Sequence, residues 1–109
     1  MTKYLVLYRA DGDAAAQMAE MTPEQARAGM ELWMKWAGNA GSSLVDLGNP
    51  LASVATVGKG DDTLPIGGFS IMEADSKEAV TKLLDDHPHF HTPGPTAIEV
   101  LEYQPLPGS

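Results

Sequence analysis

Cysteine is absent from this chain of 109 residues, which excludes disulfides, thiolate metal sites and cysteine nucleophiles and fits a reducing compartment. Cytoplasm is the simplest expectation. Basic residues are scarce too: seven Lys and Arg stand against fifteen Asp and Glu, a formal net charge of -8. A field of that sign repels phosphate backbones and anionic lipid, so neither nucleic acid nor a membrane surface is an expected partner. Long apolar runs are also missing. The opening MTKYLVLYRADGD breaks at Arg9 and Asp11 after only a few apolar residues, far short of a signal-peptide core or a membrane span. What is present is the composition of a globular protein, 43% hydrophobic and 20% charged, at a length that suits one domain over residues 1–109.

The run from Lys3 to Arg9 sets Tyr4, Val6 and Tyr8 against Leu5 and Leu7 and reads as a central strand covered on both faces. Ala10 to Met21 reads as a loop or a weak helical turn. Thr22-Pro23-Glu24-Gln25 then offers a capping hydroxyl, a proline at the first helical position and a glutamine placed to bond back, so a helix starts here. Ala26, Met30, Trp33 and Ala37 form its expected stripe, flanked by Leu32, Met34 and Trp36, until Gly38, Asn39 and Gly41 stop it. Ser43 to Val57 reads as one bent strand or two short ones, interrupted at Gly48-Asn49-Pro50. After the polar Lys59–Asp62 turn and Pro65, Phe69, Ile71 and Glu73 alternate with Ser70, Met72 and Ala74 in another strand. Asp75 or Ser76 can cap a second helix that buries Ala79, Val80, Leu83 and Leu84 and ends near Asp86, before Pro88. A last strand spans Thr96 to Tyr103.

Strand, helix, strand, strand, helix, strand is the split βαβ order, in which an antiparallel sheet carries both helices on one face. The expected fold class is therefore α+β, a ferredoxin-like βαββαβ sandwich. Apolar residues fall on both sheet faces, so the surface without helices needs a cover, and a second copy stacked sheet against sheet is the economical one.

The strand KYLVLY, the helix MTPEQARAGMELWMKWAGNAG, GNPL, GGFSIMEADSKEAVTKL, HPH and IEVLEY together resemble the YCII-related proteins of the dimeric α+β barrel superfamily, over nearly the whole chain. These pieces are mostly fold grammar. The resemblance implies a homodimer whose sheets face each other, with a pocket in each subunit between sheet and helices. It also implies kinship with cofactor-independent monooxygenases, lactone isomerases, dehalogenating and decarboxylating enzymes and haem enzymes. Some relatives are thought to pair an Asp with a His on the first helix. That helix has no His here, and Val57-Gly58-Lys59-Gly60-Asp61 stands where one subgroup carries Asp-Gly-Pro-Phe, so no catalytic residue is carried over.

The residues offer their own candidates. His87, His89 and His91 are all the imidazoles of the chain, and in extended geometry a spacing of two points them to one side, toward a substrate or a metal. Against this, Pro88 and Phe90 make the stretch a helix-exit loop; no metal is assigned. Asp46, among apolar neighbours, reads as a general base or as the holder of the Gly48 turn. Trp33 and Trp36 sit on different sides of the helix, one for the core and one for a pocket. Tyr8, Arg9 and Glu99 can bring polar tips into the cleft, Arg9 with a fork for a carboxylate. His89, His91 and Asp46 are thus the expected catalytic groups, and Tyr8, Arg9, Trp33, His87 and Glu99 the expected ligand contacts.

The leading expectation is a small-molecule-binding homodimer with lyase, isomerase or oxygenase chemistry on a small organic acid and no cofactor. Its rival is a non-catalytic ligand-binding or dimerisation domain. A third reading has the three imidazoles hold a metal.

Overall fold

The computed structural model describes residues 1–11, 19–60 and 64–108. Its elements are β1 (Thr2–Ala10), α1 (Pro23–Ala40), β2 (Leu44–Asp46), β3 (Ile66–Ala74), α2 (Lys77–Leu84) and β4 (Thr96–Glu102), with 3-10 turns at Gly41–Ser43 and Pro88–His91. Most of the expected loop after Ala10, and Asp61 and Asp62 of the expected polar turn, lie outside the described residues.

The strands form one antiparallel sheet in the order β2-β3-β1-β4. Each βαβ unit leaves room for a strand of the other, which is the ferredoxin-like arrangement. Both helices begin as their sequences require. The Thr22 hydroxyl accepts from the Gln25 N–H at 3.1 Å while the Gln25 side chain accepts from the Thr22 N–H at 3.0 Å, with Pro23 in the first turn. For α2 the cap is Ser76, whose hydroxyl accepts from the Ala79 N–H at 3.2 Å.

The core follows the period of two along the strands. Tyr4, Val6 and Tyr8 of β1 and Ser70, Met72 and Ala74 of β3 are buried under the helices. From above, Trp36 and Ala40 of α1 and Val80 and Leu84 of α2 close over them. The stripe of α1 differs from expectation. Met30 is exposed, and Trp33, Trp36, Ala37 and Ala40 face the core. A helix with apolar residues all round admits more than one stripe, and indoles three apart share a face, so the bulkiest pair decides it. The two tryptophans therefore stand on one side rather than two.

One residue out of phase, Leu5, Leu7, Phe69 and Ile71 are half-covered on the other surface, paired across strands as Leu5 with Ile71 and Leu7 with Phe69. Leu101 lies opposite Leu5 on β4 and is exposed. Lys3, Arg9, Glu73 and Glu99 fall on the same alternation. Among the described residues neither α1 nor α2 covers this surface, in line with the sequence expectation.

The stretch after β2 is shorter in pairing than expected. Pro50 bridges Gly68 and the Leu51 N–H donates to the Gly67 carbonyl at 2.9 Å. Beyond that β3 has only Ile66 left to offer, so residues 52–57 run without a ladder. Gly48 makes the bend at φ +83°, and a Cβ there would coincide with the Phe69 carbonyl oxygen. Gly48→Ala is accordingly expected to lower stability by about 2 kcal/mol or more. Gly38→Ala, inside α1 with nothing within 4 Å of the added carbon, should raise it by about 0.5–1 kcal/mol. Urea unfolding midpoints of the two variants check both signs.

Candidate functional site

Tyr8 is the last residue of β1 that looks toward the helices, and the 3-10 turn Pro88–His91 lays two imidazoles beside it. Its ring centroid is 4.8 Å from that of His87, 5.4 Å from that of His89 and 5.0 Å from that of Trp33. Trp33 and Trp36 meet the His87 ring edge to face at 4.4 and 4.3 Å. Trp36 is fixed by donating from Nε1 to the Leu83 carbonyl at 2.7 Å. The result is an aromatic box around one histidine.

His87 is fully buried. Its Nδ1 accepts from the His89 backbone N–H at 2.9 Å, so the neutral ring carries its proton on Nε2. That nitrogen has no hydrogen-bond partner among the described residues. An unpaired buried donor costs about 1–3 kcal/mol, and contact with an aromatic face returns only about 0.5–1 kcal/mol of it. The box therefore stores a vacant donor at its centre. Burial, and secondarily the neighbouring His89, pushes the His87 pKa down to about 3, so the imidazole is neutral at physiological pH.

His89 is also buried, and its Nε2 lies 2.8 Å from the Arg9 carbonyl oxygen. A carbonyl only accepts, so that nitrogen bears a proton and the neutral ring keeps its lone pair on Nδ1. On the other side of the box the Tyr8 hydroxyl donates to Ser70 Oγ at 2.8 Å, and Ser70 donates to the Leu47 carbonyl at 2.6 Å. Burial pushes the Tyr8 phenol up to about 12. Burial keeps it protonated, and the hydrogen bond to Ser70 fixes where it points.

Two cavities lie along the helix side of β4. One of about 410 Å³ is lined by Thr2, Tyr4, Ser76 and Lys77 among others, and one of about 180 Å³ by Leu84, Asp85, Phe90 and Ile98. Thr81 and Val100 line both, so they form one groove. Its inner end abuts the box: Ile98 is the cross-strand partner of Tyr8, and the Phe90 ring is 6.3 Å from that of His89. Asp75, Asp85 and Glu102 line the groove against Lys77 alone, a balance that disfavours strongly anionic ligands.

Of the residues singled out from sequence, the fold thus brings together Tyr8, Trp33, His87 and His89. It does not bring the others to them. The 3-10 turn abolishes the extended geometry that aligned three imidazoles, and His91 is exposed. Among the described residues no group of three or more His, Asp or Glu is gathered as a metal would need. Asp46 is exposed at the end of β2, its carboxylate accepting from the Gly48 N–H at 2.9 Å, and so holds the turn. Arg9 and Glu99 pair at 2.9 Å on the surface without helices, and Arg9 Nη1 also donates to the Leu64 carbonyl at 2.8 Å. With Glu99 well exposed, the ion pair is worth at most about 1 kcal/mol. Sequence reasoning missed Ser70 altogether and left Trp36 as packing; a serine on the inward phase of an apolar strand was the available signal.

Neither a protein-family model nor a curated protein matches the chain. Among solved structures, the 5-chloro-2-hydroxyhydroquinone dehydrochlorinase of Burkholderia phenoliruptrix AC1100, in complex with 2,5-dihydroxybenzoquinone, is similar. The likeness covers 89% of this chain and 90% of that one, with a TM-score of 0.51 and 21% identity. The likeness shows the fold alone, the ferredoxin-like α+β arrangement. Among the described residues no helix is long and apolar enough to cross a membrane.

The depressed His87 pKa fixes the sign of one pH effect. Because the folded value lies below the ordinary 6.5, the unfolded chain takes the proton first as pH falls. The contribution is complete above pH 6.5 and declines toward pH 3, by up to about 1.4 kcal/mol per pH unit. His87→Phe should flatten the fall of the urea midpoint between pH 6.5 and pH 5 relative to the native chain.

Proposed function

We propose that this protein is a YCII-related homodimer of the cytoplasm that binds a small, flat, oxygenated organic molecule and performs proton-transfer chemistry on it without a cofactor. The observation that carries the reading is the vacant His87 donor, walled by Trp33, Trp36 and Tyr8 beside a second imidazole. Aromatic walls suit a planar ring. A neutral imidazole N–H is a fitting donor to a carbonyl or enolate oxygen, because it stabilises developing negative charge without adding an ion to the site.

In this reading the ligand lies in the β4 groove against Phe90, and its oxygen reaches His87 Nε2–H when the half-buried Trp33 ring swings aside, because the rings of the box are in contact with one another. His89 Nδ1 then removes or returns a proton as general base, while its Nε2–H stays on the Arg9 carbonyl and keeps the ring oriented. Tyr8 shapes the floor. The groove's excess of carboxylates favours an acid of the enolic or phenolic kind, whose charge is spread over the ring, over a carboxylate-rich one. The hydroxylated quinone bound to the similar fold is a ligand of that type. Lyase or isomerase chemistry is the corresponding reaction class.

Homodimerisation rests on the half-covered Leu5, Leu7, Phe69 and Ile71 surface. A second subunit stacked there leaves the box and the groove, on the other side of the sheet, open to ligand.

A panel of hydroxylated quinones, catechols and β-keto acids, followed by tryptophan fluorescence, tests the binding. Trp33 and Trp36 are the only tryptophans and both border the box. The expected result is saturable quenching by at least one ring compound, lost in Trp33→Ala. For a ligand that turns over, His89→Ala should slow the reaction about 10²–10⁴-fold. A flat response across the panel, with native and Trp33→Ala proteins indistinguishable, sinks the proposal.

A further inference from the structure

Residues 51–57, Leu-Ala-Ser-Val-Ala-Thr-Val, carry no charge, no proline and no glycine, and three of the seven are β-branched. Such a segment has the composition of a buried strand. It is instead exposed throughout, with Val54 at 94% and Val57 at 99% of full exposure. Soluble proteins protect uncharged strand-like edges, because their free N–H and C=O groups invite pairing.

Both ends of the segment are anchored. At the outgoing end, Gly48 is pressed against the Phe69 carbonyl, Pro50 bridges Gly68 and Leu51 bonds Gly67 at 2.9 Å. On the return, the Leu64 carbonyl accepts from Arg9 Nη1 at 2.8 Å and the Pro65 carbonyl from the Ala10 N–H at 3.1 Å. The arm is thus held out by the sheet edge at fixed roots. Leu7 and Phe69 of the uncovered sheet surface stand next to those roots.

That surface is small for the task assigned to it. Strands of nine, three, nine and seven residues, at about 3.3 Å per residue and about 4.8 Å apart, give a flat face of about 440 Å². A stable dimer buries about 800 Å² per partner. The sheet face alone falls short, and an exposed apolar arm beside it supplies the missing area.

We propose that residues 51–57 form a clasp that closes over the sheet face of a second copy of this chain. The clasp rests on the homodimer reading above. Two-fold symmetry makes the exchange reciprocal, each arm covering the other subunit. With no charge between Leu51 and Val57, the arm brings no ion of its own onto Leu5, Leu7, Phe69 and Ile71 of the second copy, and Glu99, opposite Leu7, is already paired with Arg9. Its backbone gains from any strand edge it meets.

Sedimentation of the native chain and of Val54→Asp/Val57→Asp separates the two claims. Expected is a native dimer whose Kd rises at least tenfold in the double variant, with unchanged far-UV circular dichroism. A native dimer with the variant's Kd within twofold overturns the clasp and leaves the dimer standing. A native chain that stays monomeric at tens of micromolar overturns both. Because the chain has no cysteine, Val54→Cys carries a benzophenone maleimide at one defined place. Irradiation should give a covalent dimer whose cross-links map to residues 5–7 or 69–71 of the second copy. Cross-links confined to monomers overturn the clasp.

Discussion

Tyr4, Val6 and Tyr8 are buried under the helices while Leu5 and Leu7, one residue out of phase, stand half-covered on the opposite surface. This alternation of β1 is the constraint on which the remaining structure depends. A slip of one residue would exchange the two sets and place Tyr8 on the wrong side of the sheet. The register with β3 and β4 on either flank prevents it. Only with Tyr8 inward do the 3-10 turn after α2 and the two indoles of α1 have a ring to close against. The box around His87 is therefore a consequence of strand register, and so is the apolar surface that faces away from it.

Inside the box the energetics are unlike those of a core selected for packing alone. A core built for stability alone would put a Leu or Phe at position 87, with no donor to leave unpaired and no pKa to depress. The fold instead excludes water from an imidazole and gives its Nδ1 the one bond that fixes the tautomer. Structural histidines in cores ordinarily have both nitrogens satisfied. A vacant Nε2–H among aromatic rings is better matched to a polar ligand atom that arrives and leaves.

The fold was legible because its signals are local and agree with one another. Thr22 and Gln25 cap a helix in any context, and the alternation at Ile66–Ala74 says which residues turn inward before any contact is known. Even the Gly67-Gly68 pair is a bulge, with Tyr8 opposite Gly68 and Arg9 opposite Ile66. The site was legible only in its members from β1 and the histidine run, because chemistry-bearing residue types are conspicuous. Its arrangement was hidden. Whether HPHFH is extended or wound into a turn depends on Pro88 fixing one dihedral angle and on the space beside Tyr8, which are tertiary facts. Ser70 escaped notice because a small hydroxyl in an apolar strand is unremarkable until a phenol is found 2.8 Å away. Asp46 carried two readings from sequence, general base or holder of the Gly48 turn, and the structure has the second, because β2 is an edge strand with an exposed end.

Arg9 ties these parts together. Its carbonyl receives the His89 proton on the helix side of the sheet, while its guanidinium, on the other side, binds Glu99 and the Leu64 carbonyl at the root of the arm. The two sides of the sheet thus meet at one residue, and a shift of the Arg9 backbone would alter the orientation of His89. The link is short enough to matter, because a hydrogen bond of 2.8 Å weakens steeply with tilt. In the proposed dimer a second subunit over that surface would hold Arg9 from the side opposite the proposed ligand, and so steady the imidazole to which the proton transfer is assigned. On that proposal, assembly and chemistry would be coupled by strand geometry, without either needing to touch the other.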